Sequence, residues 1–350
     1  MNVFAAIPPM PQPSATLAAH VPLAVATRGA AVESVHYGSV AVVDRDGRLL
    51  YTAGDPQALT FTRSALKPVQ ALPFIAAGGA QKFRFAPEQV ALLCASHSGE
   101  PRHVEAVADM LAKAGSAASD LQCGAHPPGF YEARGEIPPP PPYSPLAHNC
   151  SGKHAGMLAY CAMCGHSKID YLGFEHPLQQ QIREAVARFT GVVAGNLVAG
   201  IDGCSAPNYA VPLSGLAQAY ARLASPAADS TYGDAPQTLA AAMVAHPEMV
   251  SGERRSDLAL MRAGRGDWVT KIGAEGVQAI GTRSGLGIAI KVADGQKRGL
   301  YPAIVGVLDA LGLLDRRAAE ELESWGHPDL RNYRGIRTGD VHKVLVLDKC

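Results

Sequence analysis

Three short stretches of the chain carry side chains suited to acyl transfer. The first, FTRSALKPVQAL (61–72), sets Ser64 three residues ahead of Lys67 at the start of an apolar helical run. The second, CASHSGEP (94–101), contains Ser96-His97-Ser98, and the third, TKIGAEG (270–276), puts Lys271-Ile272-Gly273 on a strand candidate. A serine hydroxyl attacks a carbonyl only when a base takes its proton, and residues i and i+3 share a helix face, so Lys67 can reach Ser64. The accepting amine must be neutral near pH 7, against a reference pKa of about 10.4; an apolar pocket and a second cation such as Lys271 both favour that. Backbone N–H groups at the start of the Ser64 helix and near Gly273 are candidates for the oxyanion hole. Taken alone, Ser64 and Lys67 are better read as a helix N-cap and a solvated lysine, because about one such spacing arises by chance in a chain of this length.

A second constellation is built from thiols and amines. HNCSGKHAGM (148–157) places Cys150, Lys153 and His154 at a helix start, and GIDGCSAPNY (200–209) offers Asp202 and Cys204 in a Gly-flanked loop. Two thiols from separate segments with one or two nitrogen donors could make a tetrahedral Zn2+ site; the competing reading is two buried packing cysteines. Cys161-Ala-Met-Cys164 has metal or redox spacing, but it sits late in an apolar helix, where core packing is the favoured reading. The seven cysteines are an odd number spread through a long chain, which argues for reduced thiols and not a disulfide scaffold.

These residues need a scaffold, and the periodicity supplies one. Strand signals cluster at both ends: VPLAVATRG and VHYGSVAVVDRDGRLLYTAG near the start, with a hairpin turn at Asp44-Arg45-Asp46-Gly47, and DWVTKIGAEGVQAIGTRSGLGIAIKVADG late, broken by Gly273, Gly276, Gly281 and Gly285. VHKVLVLD could add one more. Between them helical spacing recurs over Ser64–Ala77, Arg102–Ala114, Ser151–Gly165, Pro177–Thr190, Ser214–Ala224 and Gln237–Ala245, and continues over Lys297–Leu313 and Ala318–Trp325. The expected architecture is α+β or α/β. An antiparallel sheet comes from both chain ends (about 21–60 and 265–350), helices flank it, and a mainly helical lobe (about 61–264) is inserted. Residues 1–20 are read as a mobile tail. The order Ser-x-x-Lys, Ser-x-Ser, Lys-x-Gly on such a scaffold matches the logic of active-site serine enzymes related to β-lactamases and penicillin-binding proteins.

Composition narrows the ligand. Of 350 residues, 47% are hydrophobic, enough for a sizeable core in one domain of two lobes. Lys+Arg and Asp+Glu both number 31 with no run of like charge, which excludes the basic stripe needed for nucleic acid or an anionic membrane. No stretch reaches the length of a membrane span, and the Pro- and Ala-rich start lacks the pattern of a secretory signal, so a cytoplasmic protein with a small-molecule ligand is expected.

Together, TRSALKPVQ, CASHSGEP, HNCSGKHAGM, GIDGCSAP and KIGAEGV resemble the rhizobial-type L-asparaginases of the asparaginase II family, from about residue 21 to the C-terminus. The resemblance implies a fold like serine β-lactamases and glutaminases, a homodimer, and hydrolysis of L-asparagine to L-aspartate and ammonia. It also implies one Ser-Lys pair from Ser64 and Lys67, with Ser64 as nucleophile and capping residue in one, and a second from Ser96 and Lys271. Zinc would be held by Cys150, Lys153 and Cys204 beside the pocket, with Arg63, His154, Asp202 and Gly273 around substrate. The Cys161/Cys164 pair and the polyproline loop EIPPPPPYSP (136–145) depart from the family pattern. Motifs of this kind specify acyl transfer but not its leaving group, so a glutaminase, β-lactamase or esterase remains open, as does a zinc-binding sensor on a degenerate scaffold.

Overall fold

The structure, a computed structural model, describes residues 17–350. Twelve strands fall in chain order: β1 (Val21–Arg28), β2 (Ala31–Val43), β3 (Leu49–Ala53), β4 (Leu59–Phe61), β5 (Val198–Ile201), β6 (Pro207–Pro212), β7 (Trp268–Gly273), β8 (Val277–Thr282), β9 (Gly287–Val292), β10 (Asp329–Arg331), β11 (Arg337–Lys343) and β12 (Asp348–Lys349). The main sheet runs β10-β11-β1-β2-β9-β8-β7, with β3 on β2 and β12 on β3, and its ladders are antiparallel. Strands from the two chain ends meet where β2 pairs β9, Gly38 opposite Val292. The protein is therefore α+β, with a curled antiparallel sheet.

Period-2 alternation decides which side chains go to which layer. Val40, Val42, Ile280, Ile288 and Ile290 face a core completed by Leu300, Ile304 and Val307 of the Lys297–Ala310 helix. Ala41, Val43, Ala279 and Ala289 face the opposite core, shared with the Leu213–Ala224 helix and the helical region beyond it. Two glycines let that second helix come close. A methyl group on Gly281 would strike the carbonyl of Tyr220, and one on Gly287 that of Ala217. Gly281 thus lies inside a strand, not at a break as expected, while β7 does end at Gly273; the turns are made at Gly276 (φ 67°) and Gly285 (φ 94°).

The hairpin after β2 forms at Asp44–Gly47, where the Asp44 carboxylate accepts from the amides of Asp46 and Arg48. The expected helices match within a few residues, except that Lys297 starts a helix ending at Ala310, and a Ser256–Ala263 helix appears that periodicity did not indicate. β11 stops at Lys343, so VHKVLVLD is not one strand. Inside the helical stretch, β4-β6-β5 form a separate three-stranded sheet. The tail expected over residues 1–20 lies outside the described residues up to residue 16; beyond it, His20 Nδ1 sits 2.9 Å from Ser39 Oγ. No helix among the described residues is long and apolar enough to cross a membrane.

Candidate active site

The Ser64 segment leaves β4 through a strained turn. Arg63 adopts φ 49°, which is costly for a residue with a Cβ and persists only where neighbours over-determine it. Here Asn208 accepts from the Arg63 amide (3.0 Å) and donates to its carbonyl (3.1 Å), while the Arg63 guanidinium donates to Asp202 Oδ1 at 2.8 Å. Thr62 is fixed to the Tyr209 carbonyl through both its amide (3.1 Å) and its hydroxyl (2.9 Å), and Tyr220 donates to the Ala65 carbonyl at 2.8 Å. Ser64 is the second residue of a 3-10 turn (Arg63–Leu66) that runs into the Lys67–Ala76 helix; the capping position is Thr62, so Ser64 is not the cap. In a 3-10 turn residues i and i+3 eclipse, which puts the Ser64 and Lys67 side chains on one face.

Lys67 is 1% exposed. Its Nζ donates to the Ala95 carbonyl, to Ser96 Oγ at 2.9 Å, and at 3.5 Å to the Asn149 carbonyl. One amine therefore joins the Ser64 turn to the CASHSGEP loop and to the residue before Cys150. That loop is buried from Ala95 to Glu100: Ser96 N–H donates to the Val250 carbonyl, His97 Nε2 lies 2.9 Å from Ser151 Oγ, and Ser98 donates to Glu100. Among the described residues Ser64 Oγ has no hydrogen-bond partner, and Ser96 is bonded to Lys67 and not to Lys271.

Lys271 is fully buried on β7, and its partner is a residue the sequence motifs did not indicate. Asp257, also fully buried, accepts from Lys271 Nζ at 3.1 Å, from the Ile272 amide at 2.9 Å and from Gln278 Nε2 at 3.0 Å. Burial and the nearby Lys67 charge pull Lys271 down to about 8, against the upward pull of Asp257. Gly273 closes β7 against the Ser64 turn; a Cβ there would come within 2.7 Å of the Thr62 carbonyl.

The thiols also converge. Cys150 precedes the Ser151–Cys164 helix, and Cys204 sits in a tight turn (Ser205 φ 67°) organised by Asp202, which accepts from Gly203 at 2.8 Å and whose amide donates to the Ala206 carbonyl. Lys153 Nζ donates to Cys204 Sγ at 3.1 Å. The neighbouring Cys150 thiol and the Lys153 charge hold Cys204 far below the usual thiol range, and the same proximity to Cys204, with burial, pushes Cys150 up. Burial opposes the Lys153 charge, but Cys204 and Cys150 outweigh it and raise Lys153 to about 12. Tyr171 accepts from the Gln122 amide, and its hydroxyl oxygen lies 2.7 Å from His154 Nδ1. Burial lowers the His154 pKa, and its buried Nε2 has no protein hydrogen-bond partner. Cys161 is buried and Cys164 exposed on the same helix, apart from this cluster. Asp202 links the two constellations, since it binds Arg63 and shapes the Cys204 turn.

The family profile of L-asparaginase II matches residues 24–343. The chain belongs to the L-asparaginase II family. No curated protein matches it. Membership supports amidohydrolase activity on L-asparagine, and the matched span holds Ser64, Lys67, Ser96, Lys271, Cys150, Lys153 and Cys204 alike. Asn149, Asn208, Asp257, Gln278 and Tyr171 complete the arrangement and escaped sequence reasoning. A partial signal for Asp257 existed: a lysine on a buried strand is seldom left without a charged or polar partner, and a carboxylate is the commonest.

Proposed function

We propose that this family member hydrolyses L-asparagine to L-aspartate and ammonia, with Ser64 as nucleophile and a Lys67–Ser96–Lys271 relay for its proton. The observation that carries this reading is Lys67, a buried amine one 3-10 turn after Ser64 and hydrogen-bonded to Ser96. Ser64 Oγ bonds to the side-chain amide carbon. Its proton passes to Lys67 as Lys67 hands one to Ser96; the last step, to Lys271 as terminal acceptor, needs Lys271 Nζ to turn from Asp257 and the Ile272 carbonyl towards Ser96, and its pKa of about 8 leaves a usable neutral fraction near pH 7. Collapse of the tetrahedral intermediate breaks the C–N bond, and the proton returned by the relay leaves with ammonia. Water then attacks the Ser64 ester by the same route, releasing aspartate and restoring the hydroxyl. Arg63 faces the substrate carboxylate, and backbone N–H groups of the Ser64 turn and β7 near Gly273 receive the oxyanion.

Zinc fits the thiol cluster if binding displaces two protons: the Cys204 pKa is lowered towards the thiolate that ligates, whereas Cys150 and Lys153 beside it hold their protons without a metal and must release them to ligate, and His154 Nε2 has no protein partner and is open to a ligand atom or to substrate. Cys150, Lys153 and Cys204 would hold the ion, and His154 and Asp202 would surround it. When bound it supplies positive charge beside the pocket. The reading also includes a serine β-lactamase-like fold, a cytoplasmic location and a homodimer, for which exposed Leu59, Phe61 and Val198 on one side of the small sheet provide an apolar face.

Ammonia release measured in parallel from L-asparagine and L-glutamine, with hydrolysis of a chromogenic β-lactam, tests the substrate. Turnover of L-asparagine well above the others is expected. Preference for either of the others replaces the reading with that acyl group, and no turnover by zinc-loaded protein replaces it with a binding function.

A further inference from the structure

At the sheet edge opposite β7, three donors converge that the proposed chemistry does not use. His327, Asp340 and His342 each offer a ligand atom, and these atoms lie within 4.8 Å of one another, the one such trio among the described residues. The placement follows from register. Asp329 on β10 pairs with Asp340 on β11, and continuing that antiparallel ladder two residues sets His327 opposite His342, with their rings 5.7 Å apart. Asp340 and His342 alternate onto the same face of β11, while Val341 between them is buried.

We propose that His327, Asp340 and His342 bind a divalent first-row transition ion, with water filling its remaining positions. His342 Nδ1 is 2.7 Å from Asp340 Oδ1, and His327 Nε2 is 3.5 Å from Asp340 Oδ2. Ligands at about 2.1 Å from one ion stand about 3.0 Å apart at right angles and about 3.4 Å apart in a tetrahedron, so the first separation must widen slightly and the second nearly fits, both small side-chain adjustments. Two imidazoles and one carboxylate suit zinc, nickel or cobalt. Thr27 Oγ1 at 3.2 Å and Arg337 at 2.6 Å fix the carboxylate, whose side chain is only 17% exposed. Arg337 competes with a cation for Oδ2, but it keeps Asp329 at 2.6 Å when displaced. His327 follows the Arg316–Gly326 helix, so the ion would tie that helix end to the β10–β11 edge. A surface cavity of about 540 Å3 adjoins the trio and leaves it open to solvent.

Titration of the full chain with Co2+, followed by absorbance and calorimetry, tests the site. Wild type is expected to bind one equivalent without sulfur charge-transfer bands, and the His327→Gln/His342→Gln variant is expected to lose it. Removing a group that only orients a ligand costs about 10–100-fold in affinity, so deletion of two ligands should exceed that. Both histidines are partly exposed, so the variant should fold, with asparagine hydrolysis unchanged. Persistence of the sulfur-free equivalent in the variant, or no such equivalent in wild type, overturns the proposal. Binding at Cys150 and Cys204 announces itself by thiolate bands and is scored separately.

Discussion

Asp257→Asn removes one charge from the buried Lys271–Asp257 pair while keeping its shape. At 3.1 Å and an effective dielectric constant of about 20, the attraction is about 5 kcal/mol, an upper limit of roughly four pKa units. The Asn carbonyl retains part of the hydrogen bonding, so the shift should exceed about one unit without reaching that limit. The carboxylate holds the proton on Lys271, so its loss moves Lys271 further down from about 8. If activity requires neutral Lys271, kcat/KM for L-asparagine in wild type rises with pH through about 8, and in the variant that limb moves acidward by more than about one unit. Stability shifts with it. A lysine whose folded pKa lies below its unfolded value binds fewer protons folded, so wild-type stability rises with pH between about 8 and about 10.4, and the window opens lower in the variant. At pH 7 the variant should lose up to about 3 kcal/mol, because the amine can shed its proton and avoid the full cost of an unpaired buried charge. Stopped-assay ammonia release across pH, with urea unfolding at each pH, gives both numbers. A folded Asp257→Asn protein whose limb stays near 8 refutes the assignment of Lys271 as terminal acceptor.

Gly273→Ala should push the Thr62–Arg63 turn away from β7, since the new methyl group meets backbone and not a movable side chain; kcat/KM falls by about a hundredfold for a displacement near 1 Å, checked by steady-state kinetics with circular dichroism for folding. Cys150→Ala should lower zinc retention by at least about tenfold, read by equilibrium dialysis and metal analysis, and unchanged content removes Cys150 from the ligand set. Lys67→Ala should reduce turnover by orders of magnitude, and near-normal turnover in that variant contradicts its place in the relay.

How much of this was legible from residue order depends on the range of the interaction. The sheet from both chain ends was readable because β-branched residues alternate over several positions in β2 and β9, and that pattern survives in the folded layers. The Ser64–Lys67 relation is local, and one turn of helix carries it. Its detail was not readable: whether Lys67 turns towards Ser64 or Ser96 is set by Ala95, Ser96 and Asn149, which arrive from two other segments. Asp257 was missed for the same reason. It stands 14 residues before Lys271 on a short helix without pronounced periodicity, and only packing of that helix on β7 creates the pair. Gly281, misread as a strand break, shows a further limit, because it answers to the Tyr220 carbonyl of a distant helix and not to its neighbours in the chain. The His327–His342 pairing likewise required the register of β10 on β11.

The central claim is covalent attack by Ser64. Rapid acid quench during turnover of L-asparagine, followed by peptide mass spectrometry, should find an aspartyl ester on the peptide carrying Ser64, and none in Ser64→Ala. An ester on Ser96 in the wild-type protein, or ammonia release undiminished in Ser64→Ala, would contradict it.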